Sequence, residues 1–151
     1  MSAIDDALEH NRRVVADGDR GRVGREPARR LTIVTCMDAR LDLPHALGIA
    51  PGDAHVLRNA GGLVTDDVLR SLVLSQHLLG TREVMLIHHT HCGMEQLDAD
   101  LPEQFLVGAF TEVAAAARAA VAAVRAYPHL PHRDAVRGFV YDVETHRVDE
   151  V

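Results

Sequence analysis

Leu31-Thr-Ile-Val-Thr35 is a short run of β-branched and apolar residues beside a polar turn, and such a run is typical of a buried strand. Similar runs occupy residues 54–58, 83–87 and 136–143. Continuous apolar runs that alternate with helices indicate a parallel sheet with both faces covered. We therefore predict one α/β domain over residues 1–151, with a mostly parallel central sheet of about four strands flanked by helices.

The two ends of the chain add a helix and an edge to this sheet. Residues 3–16 keep a helical period, and the polar residues 17–29 that follow indicate a loop. Together they predict an N-terminal helical arm over about residues 1–30. At the other end, residues 145–151 can fold back beside the last strand as an antiparallel edge.

Two further helices are predicted between the strands. Thr65 is a good N-terminal cap, and apolar residues keep helical spacing from there until Gly80 stops the helix. An alanine-rich segment predicts a long helix over residues 103–127, ended by Pro128. Because this helix carries few large side chains, a close neighbour must pack against it.

The composition argues against several classes of function. Aromatic residues make up only 3% of the chain and the formal net charge is −6, which argues against a nucleic-acid-binding protein. No apolar run approaches the roughly 20 residues of a membrane-spanning helix, and the acidic, mixed N-terminus is unlike a secretory signal. We therefore expect a cytoplasmic protein that acts on a small molecule and binds neither nucleic acid nor membrane.

The only two cysteines of the chain follow two of the predicted strands. Cys36 ends the first strand and Cys92 follows the third, so both are expected at the carboxyl edge of the sheet, where α/β proteins bind ligands. His89 lies three residues before Cys92 and can face the same ion, whereas His91 adjoins Cys92 and His88 faces the other side of the strand. Two lone cysteines can also be small core side chains. Two thiolates with an imidazole, however, suit Zn²⁺.

Asp38 and Arg40 add a second signal beside Cys36. Alternate residues of an extended segment share a side, so the Asp38 carboxylate can lie next to the metal site. There it can take the fourth metal position or accept a proton from a metal-bound water, and Arg40 can hold it in a bidentate pair. The plainer interpretation is a surface ion pair of little energetic value, which we would favour only without a metal.

These motifs resemble those of the β-class carbonic anhydrases. Cys-x-Asp-x-Arg at residues 36–40, followed at this distance by His-x-x-Cys-Gly at residues 89–93, is similar to the zinc signature of that family. Arg58-Asn59-Ala60-Gly61 resembles the intervening motif of the family, and residues 137–142 resemble its last core strand. The resemblance therefore covers most of the predicted sheet.

The resemblance implies one Zn²⁺ per chain, bound by Cys36, His89 and Cys92, with Asp38 and Arg40 as the catalytic dyad. It implies the reversible hydration of CO₂ to bicarbonate and a proton by zinc-bound hydroxide. It also implies a closed state at lower pH in which Asp38 takes the fourth zinc position. The assembly it implies is a homodimer or a dimer of dimers, with the site near the subunit interface.

Two departures from the family pattern affect the expected substrate. His91 precedes the second cysteine, where the family often has a non-histidine residue, and the segment that follows is shorter than in most relatives. Hydrolysis of CS₂ or COS on the same scaffold therefore stays open, as do a non-catalytic zinc-binding module and a thiol redox protein. The intact pair of Asp38 and Arg40 argues against the module. Neither cysteine has a nearby partner in the sequence, which argues against the redox protein.

Overall fold

The computed structural model describes residues 2–18, 21–95 and 102–151. They form one sheet in the order β2-β1-β3-β4-β5, in which the first four strands are parallel and β5 is antiparallel to β4. The strands are β1 (Leu31–Cys36), β2 (Ala54–Asn59), β3 (Glu83–His89), β4 (Val136–Tyr141) and β5 (Val148–Glu150). The predicted parallel sheet and its antiparallel edge are confirmed.

In the described part of the chain, three α-helices and two short 3₁₀ turns connect these strands, and a fourth α-helix, α1, precedes β1. The α-helices are α1 (Ala3–Ala16), α2 (Leu43–Leu47), α3 (Asp66–Leu79) and α4 (Val113–Ala126), and the 3₁₀ turns are Ala60–Gly62 and Glu103–Phe105. The side chain of Thr65 caps α3 by accepting a hydrogen bond from the Val68 amide. Gly80 ends α3 in the left-handed conformation at φ 70°. Both predicted ends of α3 are confirmed.

The prediction of one long helix over residues 103–127 is wrong over residues 103–112, because α4 begins only at Val113. Gly108 adopts φ 86°, and a Cβ there would lie 2.4 Å from Leu63 Cδ1. Phe110 pairs with Glu95 in a short parallel bridge, and its amide donates to the Met94 carbonyl over 3.1 Å. This tertiary contact with the segment after β3 replaces the helical hydrogen bonds that were predicted here by extending the alanine-rich helix back to residue 103.

The sheet has two differently covered faces. The back face carries Val34 and Leu86, which pack against Leu72 of α3 and Val124 of α4 in one buried cluster. The front face carries a second cluster that includes Ile33, Ile87, Phe139 and Tyr141 from the strands and Leu43 from α2. The helices of a doubly wound protein cover the sheet in this way.

The alanine-rich helix α4 lies very close to β4, as its small side chains require. A Cβ on Gly138 would come within 2.8 Å of Val121 Cγ2 and 3.2 Å of the Ala117 carbonyl oxygen. Backbone and helix therefore touch directly across Gly138, and the predicted close neighbour of this helix is β4.

Helix α1 is covered by no other described part of the chain. None of its residues is buried, and Ile4, Leu8 and Val15 are 73%, 51% and 70% exposed. In the described ranges, no helix has both the length and the apolar character needed to cross a bilayer.

Candidate metal centre

Three potential metal ligands meet at the carboxyl edge of the sheet. Cys36 is the last residue of β1, His89 is the last residue of β3, and Cys92 follows three positions later. All three are buried, and their ligand atoms lie within 4.8 Å of one another. Within residues 2–18, 21–95 and 102–151, this is the only such group of three or more histidine, cysteine or acidic side chains.

The spacing of the two sulphur atoms fits a tetrahedral zinc ion. Cys36 Sγ and Cys92 Sγ are 3.9 Å apart. Two thiolates bound at about 2.3 Å to one tetrahedral Zn²⁺ lie roughly 3.8 Å from each other. The observed separation therefore needs almost no adjustment when a metal binds.

His89 presents a free nitrogen to the same position. Its Nδ1–H donates to the Thr90 carbonyl over 2.9 Å, which fixes the ring and the tautomer. Its Nε2 is buried and has no hydrogen-bond partner among the described residues. A buried ring nitrogen without a partner costs free energy unless a ligand satisfies it, so Nε2 is the atom available to a metal.

Burial also sets the protonation of these groups. It lowers the pKa of His89, so the ring is neutral and able to bind a metal. It raises the pKa of the Cys92 thiol to about 11. In the metal-free protein this thiol keeps its proton, and a metal ion must displace it on binding.

Asp38 lies beside the three ligands and is held by Arg40. Arg40 Nε donates to Asp38 Oδ1 over 2.9 Å and Nη2 donates to Oδ2 over 2.6 Å, which is the bidentate pair expected from the sequence. These bonds hold the pKa of the Asp38 carboxyl well below its usual range. Asp38 Oδ2 is 3.8 Å from His89 Nε2. Because His89 is neutral, this contact places an ionised carboxylate beside the metal position rather than forming an ion pair.

The segment after β2 supports the loop that carries Cys36 and Asp38, and sequence reasoning assigned it no role. Arg58 donates to two carbonyls of that loop, and the Asn59 carbonyl accepts the Met37 amide over 2.8 Å. A Cβ on Gly62, which has φ 67°, would lie 3.0 Å from the Cys36 nitrogen. The run Arg58-Asn59-Ala60-Gly61-Gly62 was the available signal, since two glycines at a strand exit indicate close backbone approach.

The two neighbouring histidines lie outside this group. His88 is buried on the back face, where its ring meets the ring of Phe110 edge to face at a centroid distance of 5.8 Å. His91 is exposed and adopts φ 54°. Both were expected to point away from the metal position, and the structure confirms their placement.

The two cysteines are also closer in space than the sequence suggested. They are separated by 56 positions, yet their sulphur atoms are 3.9 Å apart. The argument against thiol redox chemistry that rested on sequence distance is therefore wrong. The buried histidine nitrogen and the neighbouring carboxylate still favour a metal, since a disulfide needs neither.

A surface cavity of about 510 Å³ borders this centre at Cys92, and its lining also includes His91 and Glu95. A small molecule can therefore approach the centre from the Cys92 side. Taken together, the fold and the site define an α/β protein with a buried Cys-His-Cys metal centre of the kind that suits zinc and with a carboxylate–arginine pair beside it.

Comparison with known proteins identifies the family. A family model described as carbonic anhydrase matches residues 31–137. The β-carbonic anhydrase 1 of Mycobacterium tuberculosis is 40% identical over 162 aligned positions, which cover 100% of this chain and 99% of that protein. The crystal structure of carbonic anhydrase from Streptococcus mutans has a TM-score of 0.89 at 41% identity, and the match covers 100% of this chain and 98% of that one. The chain belongs to the β-carbonic anhydrase family.

A second kind of relative shares the same scaffold. The carbon disulfide hydrolase of Acidithiobacillus thiooxidans is 38% identical over 148 aligned positions, which cover 78% of this chain and 74% of that protein. The match is shorter than the one to the mycobacterial carbonic anhydrase.

Proposed function

We propose that this protein catalyses the reversible hydration of CO₂ to bicarbonate and a proton. The observation that carries the proposal is the Asp38 carboxylate, which Arg40 holds 3.8 Å from the free Nε2 of His89. Full-length similarity to β-carbonic anhydrases supports the same reaction. A metal site that only stabilised the fold would not need an ionised carboxylate at its edge.

Cys36, His89 and Cys92 would hold one Zn²⁺ per chain. When bound, Zn²⁺ supplies the Lewis acidity that makes water a nucleophile near neutral pH. The donor set fits this ion, because thiolates and imidazole are ligands that zinc prefers over harder cations.

Asp38 and Arg40 would act as a dyad on the attacking water. The ionised Asp38 can accept a hydrogen bond from that water and so orient it towards the carbon of CO₂. Arg40 keeps the carboxylate from moving onto the metal position, because it occupies both carboxylate oxygens. If Asp38 exchanged Arg40 for the metal, it would become a fourth ligand and close the site.

A comparison of substrates tests this proposal against hydrolysis of CS₂ or COS. These molecules are linear electrophiles like CO₂. The similarity of the chain to a carbon disulfide hydrolase is a specific reason to test them as alternative substrates. Stopped-flow measurement of CO₂ hydration, from acid to alkaline pH and on metal-analysed protein, should show turnover that rises with pH, because two thiolates neutralise the charge of the ion. Faster turnover of CS₂ or COS than of CO₂ would replace the proposed substrate.

The same measurement separates an enzyme from a zinc-binding module without activity. Such a module would hold about one zinc per chain and hydrate no CO₂ at any pH. Zinc-loaded protein without turnover on any of the three substrates would therefore contradict the proposed reaction.

The assembly would be a homodimer or a dimer of dimers. The N-terminal arm, residues 1–30 of a single domain over residues 1–151, would pack against a second copy, because the apolar side chains of Ile4, Leu8 and Val15 have no cover in the described chain. Sedimentation showing a stable and active monomer would contradict this. Thiolate ligands need a reducing compartment, which favours the cytoplasm.

A further inference from the structure

Arg58 stands at the carboxyl end of β2 and reaches over the end of β1. Its Nε donates to the Cys36 carbonyl over 2.8 Å, and its Nη2 donates to the Asp38 carbonyl over 2.6 Å. We propose that Arg58 is a positioning residue of the metal centre, which fixes the backbone of residues 36–38 so that the Asp38 carboxylate stays with Arg40. This inference deepens the proposed function and rests on it.

Arg58 and Arg40 hold the two ends of the same residue. Arg40 binds the carboxylate of Asp38, while Arg58 binds its backbone carbonyl. With Oδ2 only 3.8 Å from His89 Nε2, a modest change of the Asp38 torsions would carry the carboxylate onto the metal position. Arg58 removes the backbone part of that freedom, because a backbone movement of Asp38 towards the metal position breaks a charge-assisted hydrogen bond.

The register of the sheet makes this contact specific to an arginine. Thr35 pairs with Arg58 and Cys36 pairs with Asn59. The backbone of Arg58 therefore lies beside Thr35, and its long side chain extends along β1 to the carbonyls of Cys36 and Asp38. Its planar fork reaches carbonyls two residues apart, which a single ammonium group cannot do with the same geometry. In the described chain, the side-chain hydrogen bonds of Arg58 both go to backbone carbonyls of residues 36–38.

Variants of Arg58 with a matched control test the inference. Arg58→Ala removes both bonds, whereas Arg29→Ala removes a similar bond, from Arg29 Nη2 to the Gly48 carbonyl, together with an ion pair to Asp53, beyond the opposite end of β1 from Cys36. The rate at which a chelator takes zinc from the holoprotein should rise about 10- to 100-fold in Arg58→Ala, because the backbone of the ligand Cys36 loses the bond that orients it, and this is the usual range for losing such a partner. The kcat for CO₂ should fall with little change in KM. Arg29→Ala should alter neither.

Chemical rescue separates positioning from general stability. Added guanidinium ion should slow zinc release and raise kcat in Arg58→Ala, because it can refill the space between the two carbonyls, and it should do neither in Arg29→Ala. Arg58→Lys keeps one donor and should lie between the wild type and Arg58→Ala. If Arg58→Ala does not fold, Arg58→Lys and Arg58→Gln carry the same comparison.

Three results would overturn the inference: zinc release and kcat within twofold of the wild type in the Arg58 variants, equal losses in Arg29→Ala, or no response to guanidinium in a folded Arg58→Ala. Zinc release is measured without substrate. A wild-type protein that binds zinc but hydrates no CO₂ would therefore overturn the proposed function, while the chelator and rescue measurements would still decide on Arg58.

Discussion

His88 and His89 are adjacent in β3, both are buried, and each has one ring nitrogen without a hydrogen-bond partner in the described chain. Their surroundings differ because alternate residues of a strand face opposite sides of the sheet. His89 Nε2 faces two thiols and a carboxylate on the front face. His88 lines a back-face cavity of about 700 Å³ whose wall includes Ala116, Ala119, Ala120 and Ala123.

This difference shows that burial and metal binding are separate properties. Burial lowers the pKa of both histidines, that of His88 to about 4, so both rings are neutral at physiological pH. A neutral ring can bind a metal, but only the ring of His89 lies within reach of two thiols that can bind the same ion. The metal centre therefore depends on which side chains converge rather than on a property of histidine alone.

The largest expected effect is the loss of zinc when one of the three candidate ligands on the front face is replaced. Cys36→Ser and Cys92→Ser should each lose most of the roughly one zinc per chain, because a hydroxyl is a much poorer ligand than a thiolate. His89→Ala should behave likewise. Metal analysis of purified variants gives the answer, and full zinc occupancy in both serine variants would refute the assignment.

The next effect concerns Asp38, which belongs to the front face without being one of the three ligands. Asp38→Asn keeps the shape but removes the charge and the proton-accepting role. Alkaline CO₂ hydration should fall about 100-fold or more, the usual scale for losing a positioned acid–base group, while zinc content stays unchanged. Wild-type turnover in this variant at alkaline pH would remove Asp38 from the mechanism.

Arg40→Ala should reduce turnover by a different route, since the freed Asp38 carboxylate would occupy the metal position more often. The double variant of Asp38→Asn and Arg40→Ala should be no worse than Asp38→Asn alone, because residues that act as one unit are not additive. Turnover of CO₂ by the wild type and the three variants at one alkaline pH gives the double-mutant cycle that tests this. Additive losses would give Arg40 a separate task, such as binding bicarbonate.

On the back face, His88→Ala should retain zinc and lose only stability, by about 1–3 kcal/mol, because it enlarges an existing cavity. Metal analysis and urea unfolding measure the two quantities. Zinc loss in His88→Ala together with zinc retention in His89→Ala would move the ligand to the other face.

The last expected effect is the response of stability to acid. Because the pKa of His88 falls from 6.5 to about 4 on folding, the folded protein binds fewer protons than the unfolded chain between these values. Stability should therefore decrease as the pH drops from 6.5 towards 4, by at most about 1.4 kcal/mol per pH unit, and should not change through this group above 6.5. Urea unfolding of metal-free His88→Leu should show a weaker acid dependence than the wild type, and an identical dependence would contradict this.

Much of the fold was predictable because its signals are local. The apolar runs predicted β1 to β4, and Thr65 and Gly80 marked the ends of α3. The start of α4 was missed, because the helical prediction from the alanine-rich residues 113–126 was extended back to residue 103, whereas Phe110 instead pairs with the segment after β3. A contact between distant segments overrides propensity there.

The sequence by itself determined which residue types reach the carboxyl edge, since Cys36 and His89 end parallel strands, Cys92 follows closely, and parallel strands share one edge. Only the tertiary structure decided the distances: 3.9 Å between the two sulphur atoms, 3.8 Å from the Asp38 carboxylate to His89 Nε2, and the reach of Arg58 to two carbonyls. Strand order and periodicity limit where a side chain can go. Its final position depends on packing against segments far away in the chain, such as the close approach of Gly62 to Cys36: the glycines indicate a close approach, but no local pattern identifies its partner.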